Sequence, residues 1–218
     1  MDGPAGVGKS TVVHLLGKAL GYRFINTGEM YRALTWRALE DSIDPGDEKA
    51  VLALAKRLRW EFHPTEEGTT LRTTIDGQGV TAQIRDERVS RFSSLVAANP
   101  GVRKLLCRLQ RKIGEEGGIV MEGRDITTNV FPDADFKIYL DASIEERARR
   151  RYRQLKAAGQ AADRRKIREA ILTRDLNDIK RKINPLSQAR DAVVIDSTRL
   201  TLHQVSRKIL RHIKRHAR

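Results

Sequence analysis

Short apolar runs bounded by turn residues recur at 22–26 (YRFIN), 118–121 (GIVM), 136–140 (FKIYL) and 193–196 (VVID). Each precedes a stretch whose apolar positions follow helical spacing, and the runs predict strands feeding helices. The helical pattern covers 9–20, 28–41, 100–115, 143–157, 163–182 and 201–214. Asn99 is placed to cap the third helix, with Pro100 at its first position and Gly117-Gly118 beyond its end. Strands alternating with helices imply a parallel sheet flanked by helices, an α/β fold. Between Leu58 and Thr81 the rhythm changes. RWEF, a turn-like EEGT and TLRTTID ending on Gly77-Gln78-Gly79 predict a small inserted antiparallel β region, too short for an independent domain.

Composition narrows the class. At 218 residues, 39% apolar and 32% charged, the chain can bury a core and suits one domain over 1–218 rather than two large ones. No run of 18 apolar residues occurs and Met1–Gly8 is not a signal peptide, so a cytoplasmic protein without a membrane partner is expected. The single cysteine, Cys107, permits neither an intramolecular disulfide nor a cysteine metal cluster and reads as a buried helical thiol.

The net charge of +14 is unevenly placed. Residues 1–144 and 183–206 are each neutral. Residues 145–182 hold 14 basic and six acidic side chains, and residues 207–218 hold six basic and no acidic ones. A cationic patch attracts nucleic acid, anionic membrane or a phosphorylated small molecule, and charge alone does not choose.

Gly3-Pro4-Ala5-Gly6-Val7-Gly8-Lys9-Ser10 fits the phosphate-loop pattern G-x-x-x-x-G-K-[ST], followed by Thr11 and a helical run. Glycines let the backbone approach a polyphosphate, amide groups and the helix N-terminus face the anion, Lys9 reaches the outer phosphates, and Ser10 offers a hydroxyl to Mg²⁺. The expected chemistry is phosphoryl transfer from ATP. Only Met1 and Asp2 precede Gly3, whereas the pattern ordinarily follows a buried strand, so the first, central strand is expected to be truncated.

GPAGVGKST, NTGEMYR at 26–32, EGRD at 122–125, FPDADFKIYLDAS at 131–143 and RDLNDIKR at 174–181 occur in order, and together the chain resembles the bacterial cytidylate kinases. The resemblance implies a P-loop nucleotide kinase domain with an acceptor-binding region and insert at about 27–97. It also implies an Arg-rich helical lid at about 146–165. The implied reaction moves the ATP γ-phosphate to CMP or dCMP, giving ADP and CDP or dCDP, with Mg²⁺ carried by ATP. A monomer needing no nucleic acid is expected.

The same resemblance assigns Arg32, Arg124 and Arg181 to the acceptor phosphate, where planar guanidinium groups match phosphate oxygens. Thr27 is placed either at a helix N-cap or on that phosphate, and Tyr31 either against the pyrimidine or in the core. Asp125 and Ser94 would face the cytosine amine, Arg103 would donate to the base, and Arg174 and Asp178 would bind the sugar. Within ERARRRYR at 146–153, Arg147 and Arg151 lie one helical turn apart and are expected to close over the phosphates beside Lys9. No general base is required, because the attacking phosphate oxygen is already anionic. Glu122, and secondarily Asp2, are candidates for holding a Mg²⁺-bound water. Asn26 and Thr127 depart from the family's usual Asp and Gly, with altered hydrogen bonding and a stiffer loop as the expected effects. His212 and His216 lack a third ligand for a metal, no guanine-reading N-K-x-D segment occurs, and the basic tail is left without a role.

Overall fold

A computed structural model describes residues 1–66 and 68–216. The elements run α1 (Lys9–Leu20), β1 (Arg23–Asn26), α2 (Thr27–Glu40), α3 (Glu48–Arg57), β2 (Trp60–Pro64), β3 (Leu71–Ile75), β4 (Gln78–Gly79), α4 (Glu87–Ala98), α5 (Pro100–Gly114), β5 (Ile119–Glu122), β6 (Ile138–Asp141), α6 (Ile144–Ala157), α7 (Arg164–Lys180), β7 (Val193–Asp196) and α8 (Leu202–His216). The four predicted strands and six predicted helices are present within a residue or two. The predicted hairpin is β2–β3–β4, antiparallel throughout, with Glu67 of its turn outside the described residues. Helices α3 and α4, on either side of it, were not predicted.

The chain forms two compact units, Met1–Leu16 with Gly123–Arg218, and Gly17–Glu122. In the second unit β1 pairs with β5 in parallel, Phe24 opposite Val120 and Asn26 opposite Glu122. Its core gathers Phe24, Ile25, Met30, Leu34, Val51, Leu54, Leu106 and Met121. Asp47 starts α3 by accepting from Lys49 and Ala50 N–H, and Asn99 starts α5 by accepting from Gly101 and Val102 N–H, with Pro100 at the first turn as expected. Cys107 is buried on α5.

In the first unit β6 pairs with β7 in parallel, Leu140 opposite Ile195. Asp2 forms a single parallel bridge to Tyr139, its N–H donating to Ile138 O and its carbonyl accepting from Leu140 N–H. The Asp2 side chain is fully buried. Its carboxylate accepts from the Ile126 and Thr127 N–H groups at 2.9 and 2.7 Å and from the Thr127 hydroxyl at 2.7 Å. These bonds hold the single π-helical turn Ile126–Val130 that follows EGRD. Asp2 therefore spends its oxygens on the 126–127 backbone and the Thr127 hydroxyl, which makes it an anchor rather than a water-holding metal ligand. Among the described residues no helix is long and apolar enough to cross a membrane.

A hydrogen bond to a buried charge contributes ~1.5–3 kcal/mol. Replacing Thr127 by Gly should therefore lower unfolding free energy by about 2 kcal/mol in urea denaturation, while Thr127→Ser should lose less than about 1 kcal/mol.

Candidate active site

The phosphate loop owes its path to two glycines. Gly3 has φ +148°, and a Cβ there would lie 2.0 Å from the Leu140 carbonyl oxygen; Gly8 has φ +97°, and its Cβ would meet Leu202 at 2.5 Å. A side chain at Gly3 would require the β6 backbone to move, and one at Gly8, strained at that φ, would displace the Leu202 side chain. Lys9 is buried, and its ammonium donates to the Gly3 and Pro4 carbonyls at 2.7 and 2.8 Å. Ser10 and Thr11 are exposed at the start of α1, beside exposed Gly6.

The loop is braced from α6 and α7. Arg147 is buried; its Nε donates to Ala142 O at 3.0 Å, and one terminal nitrogen donates to Ala5 O at 3.0 Å and to the Asp175 carboxylate. The other Asp175 oxygen accepts the Ala5 N–H at 3.0 Å. Arg150 donates to Val7 O at 2.8 Å, to Ser197 O at 2.6 Å and to the Glu146 carboxylate at 2.8 Å. A hydrogen bond from Arg149, with a further one from Arg150, holds the Glu146 carboxyl below the usual range against the opposing effect of burial. In a trans peptide the carbonyl of one residue and the N–H of the next point oppositely. Fixing the Ala5 and Val7 carbonyls on the arginines therefore turns the Gly6 and Gly8 N–H groups away from them, and neither N–H has a protein acceptor among the described residues.

Arg147 thus departs from the expected lid geometry. The first two turns of α6 are covered, so its guanidinium finds acceptors inside the fold. Arg151, one turn later, is exposed and donates to Gln154 Oε1 at 2.8 Å. Arg150, Asp175 and Glu146 were missed as site residues. The available signal was the i,i+4 spacing of Glu146 and Arg150 beside Arg147.

Also in the first unit, Arg124, Asp125, Asp178 and Arg181 come together. Arg124 Nε donates to Asp178 at 2.8 Å, Arg181 donates to Asp125 at 3.2 Å and to Asn184 O at 2.5 Å, and the second Arg181 terminal nitrogen lies 3.9 Å from Asp178. Asn129 Nδ2 also donates to Asp125, at 3.1 Å. Burial alone would raise the Asp178 pKa, but the guanidinium groups of Arg124, Arg174 and Arg181 outweigh it and keep the carboxyl below its ordinary value. The cluster is a set of guanidinium groups aimed by the Asp125 and Asp178 carboxylates.

The second unit carries Thr27, Tyr31, Arg32, Ser94 and Arg103. Asn26, not Thr27, caps α2, accepting from Gly28 N–H at 3.0 Å; Thr27 instead donates its hydroxyl to Glu122 O at 2.8 Å, tying the helix start to β5. The Asn26 carboxamide cannot be protonated or repel Glu122, its register partner, as Asp would. Arg32 donates to Ile84 O at 2.7 Å and Ser90 Oγ at 2.8 Å. Arg103 is 1% exposed, donates to Ala97 O at 3.0 Å and sits 5.5 Å above the buried Tyr31 ring, a cation–π contact. Ser94 is half-buried on α4.

Glu122 is 3% exposed, and its Oε1 has no hydrogen-bond partner among the described residues. That oxygen is a hard donor of the kind Mg²⁺ takes. In the first unit the exposed Ser10 carries a hydroxyl, a donor of the same kind. Among the described residues no cluster of three or more His, Cys, Asp or Glu side chains could hold a metal by itself.

The pattern of the family described as "Cytidylate kinase" matches residues 1–215. The chain belongs to the cytidylate kinase family. A cytidylate kinase of Geobacillus thermodenitrificans (strain NG80-2) is 46% identical over 210 residues, covering 96% of this chain and 93% of its own length. One from Bacillus velezensis (strain DSM 23117 / BGSC 10A6 / LMG 26770 / FZB42) is 42% identical over 218 residues, covering 100% and 96%. A bifunctional pantoate ligase/cytidylate kinase of Gloeobacter violaceus (strain ATCC 29082 / PCC 7421) is 44% identical over 96% of this chain and 41% of its own length. This cytidylate kinase family member is accordingly an ATP-dependent phosphotransferase with a P-loop kinase fold.

Two outcomes follow from the site. Burial first, then the nearby Glu122 charge, pushes the Glu29 pKa from 4.5 to about 6. A raised carboxyl pKa contributes stability that is complete below pH ~4.5 and lost as pH rises through ~6. Glu29→Gln should therefore raise stability by about 1 kcal/mol at pH 8, after discounting for its partial exposure, and leave it unchanged at pH 4 in denaturant titrations. Arg150→Met should raise KM for ATP about tenfold, ~1.4 kcal/mol, while moving KM for the acceptor by less than about twofold in steady-state kinetics.

Proposed function

We propose that the two units act as one kinase domain that transfers the ATP γ-phosphoryl group to the phosphate of CMP or dCMP. An acceptor phosphate oxygen bonds to the γ-phosphorus as the bond to the β,γ-bridging oxygen breaks, giving ADP and CDP or dCDP. The observation that carries the reading is the family pattern spanning residues 1–215, phosphate loop included.

The Gly6 and Gly8 N–H groups and the N-terminus of α1 receive the donor phosphates in the arrangement that Arg147 and Arg150 set. Lys9 exchanges its loop carbonyls for phosphate oxygens as ATP binds. Ser10 would hold Mg²⁺ and Glu122 a water on it, and the ion would supply charge neutralisation of the phosphates. Arg151 turns from Gln154 to the transferred group, where a cation offsets the charge spread over its oxygens. The phosphate of the acceptor is taken by Arg32, Arg124 and Arg181, its sugar by Arg174 and Asp178, and its base by Ser94, Arg103 and Asp125. Tyr31, buried under Arg103, supports that guanidinium. Cytosine is distinguished from uracil because its exocyclic amine donates where uracil presents an acceptor, leaving a mismatched site with buried unpaired groups.

ATP consumption measured in parallel with CMP, dCMP, UMP, AMP and shikimate should be fastest with CMP or dCMP, and failure with both contradicts the reading. Arg151→Ala should lower kcat at least about tenfold, ~1.4 kcal/mol, with an unchanged circular dichroism spectrum; an unchanged rate removes Arg151 from the reaction.

A further inference from the structure

The basic C-terminal helix takes no part in the reaction described above. Val205, Ser206 and Ile209 of α8 are buried, whereas Arg207, Lys208, Arg211, Lys214 and Arg215 are all exposed. The helix has no acidic residue. On α6 and α7 several arginines have carboxylate partners on the same or the facing helix: Arg149 and Arg150 pair with Glu146, Arg165 with Glu169, and Arg168 with Glu145. None of the five exposed cations of α8 makes an ion pair among the described residues. A helix C-terminus favours positive charge within its last turn, which accounts for Lys214 and Arg215 but not for Arg207, Lys208 and Arg211. Like charges at i,i+4, as at Arg207/Arg211 and Arg211/Arg215, weaken a helix unless an anion lies between them.

Beside this face is a cleft of about 360 Å³ lined by Val193, Ile195, Lys208, Arg211, His212, Arg215 and His216. Two aliphatic side chains of β7 make an apolar surface. The rings of His212 and His216 lie 4.3 Å apart, with Phe136 edge-on to His212 at 6.1 Å. The cleft thus combines a flat aromatic and apolar lining with cations at its rim, the chemistry of a stacked base with its phosphate.

We propose that this face and cleft bind single-stranded RNA, with Arg207, Arg211 and Arg215, one turn apart, taking successive phosphates, Lys208 and Lys214 flanking them, and the cleft taking a base. Cations recur about every helical pitch, ~5.4 Å, along the exposed face, close to the separation of neighbouring phosphates on an extended strand. Five cations exceed what one nucleotide needs. The apolar side of α8 is already buried, so the helix has no face to insert into a bilayer.

The test is fluorescence anisotropy of the full chain with a labelled single-stranded RNA of about 12 nucleotides over a salt series. Log affinity should fall against log salt with a slope of about −3. Combined Arg207→Gln, Arg211→Gln and Arg215→Gln should weaken binding at least about tenfold and flatten the slope by about 2, with kcat and KM for the kinase reaction unchanged. If that variant loses its native circular dichroism, the single exposed change Arg211→Glu gives the same reading with at least about a threefold loss. The proposal is overturned if the wild type shows no salt-dependent RNA binding, or if a folded variant binds as tightly. It is equally overturned if CTP at equal nucleotide concentration displaces the RNA completely, which marks a mononucleotide site, or if phosphatidylserine vesicles bind more tightly than RNA. Kinase turnover is read separately, so failure here leaves the phosphotransfer reading intact.

Discussion

The hydrogen bonds from Arg147 to Ala5 O and from Arg150 to Val7 O are the constraint on which the catalytic architecture depends. A phosphate loop must present several N–H groups to one anion, and an unsupported glycine-rich segment would sample many arrangements before binding it. Tying two carbonyls to one helix removes much of that freedom in advance. The donor site is therefore organised from behind, by side chains that need not touch the nucleotide, and the cost of order is met on folding rather than on binding.

The same device recurs at residues proposed to take the acceptor. Arg124 and Arg181 are aimed by Asp178 and Asp125, and Arg103 is held by the Ala97 carbonyl over Tyr31. Buried arginines are costly unless matched, and each of these has an acceptor to offset desolvation. Such partners also lower the freedom of long side chains, so an arriving phosphate meets guanidinium groups already in place. Asp125, Asp175 and Asp178 thus serve as orienting groups for cations.

Much of this was legible in the sequence. Parallel strands, the hairpin and six helices followed from apolar spacing and turn residues, and the phosphate loop from its motif. Helices α3 and α4 were not, because Val51, Leu54 and Ala55, or Val89 and Val96, give only brief apolar repeats beside the hairpin; Asp47 and Asp86 were the caps that could have revealed them. Thr27 and Asn26 are both good cap residues, and only the register of β1 against β5 decides which oxygen reaches the helix. Helical spacing placed Arg147 and Arg151 on one face but could not show that cover ends between them. Nor could it show Asp175 under the loop, which needs the return of the chain through α7.

The most direct test of the preorganised loop is a ¹⁵N NMR titration of the full kinase with a nonhydrolysable ATP analogue. The account predicts that the Gly6 and Gly8 amide resonances are single and sharp before ligand and shift together on binding, and that in Arg150→Met the Gly8 resonance is exchange-broadened before ligand is added. Equally sharp Gly8 resonances in both proteins, with equal shifts on binding, would contradict it.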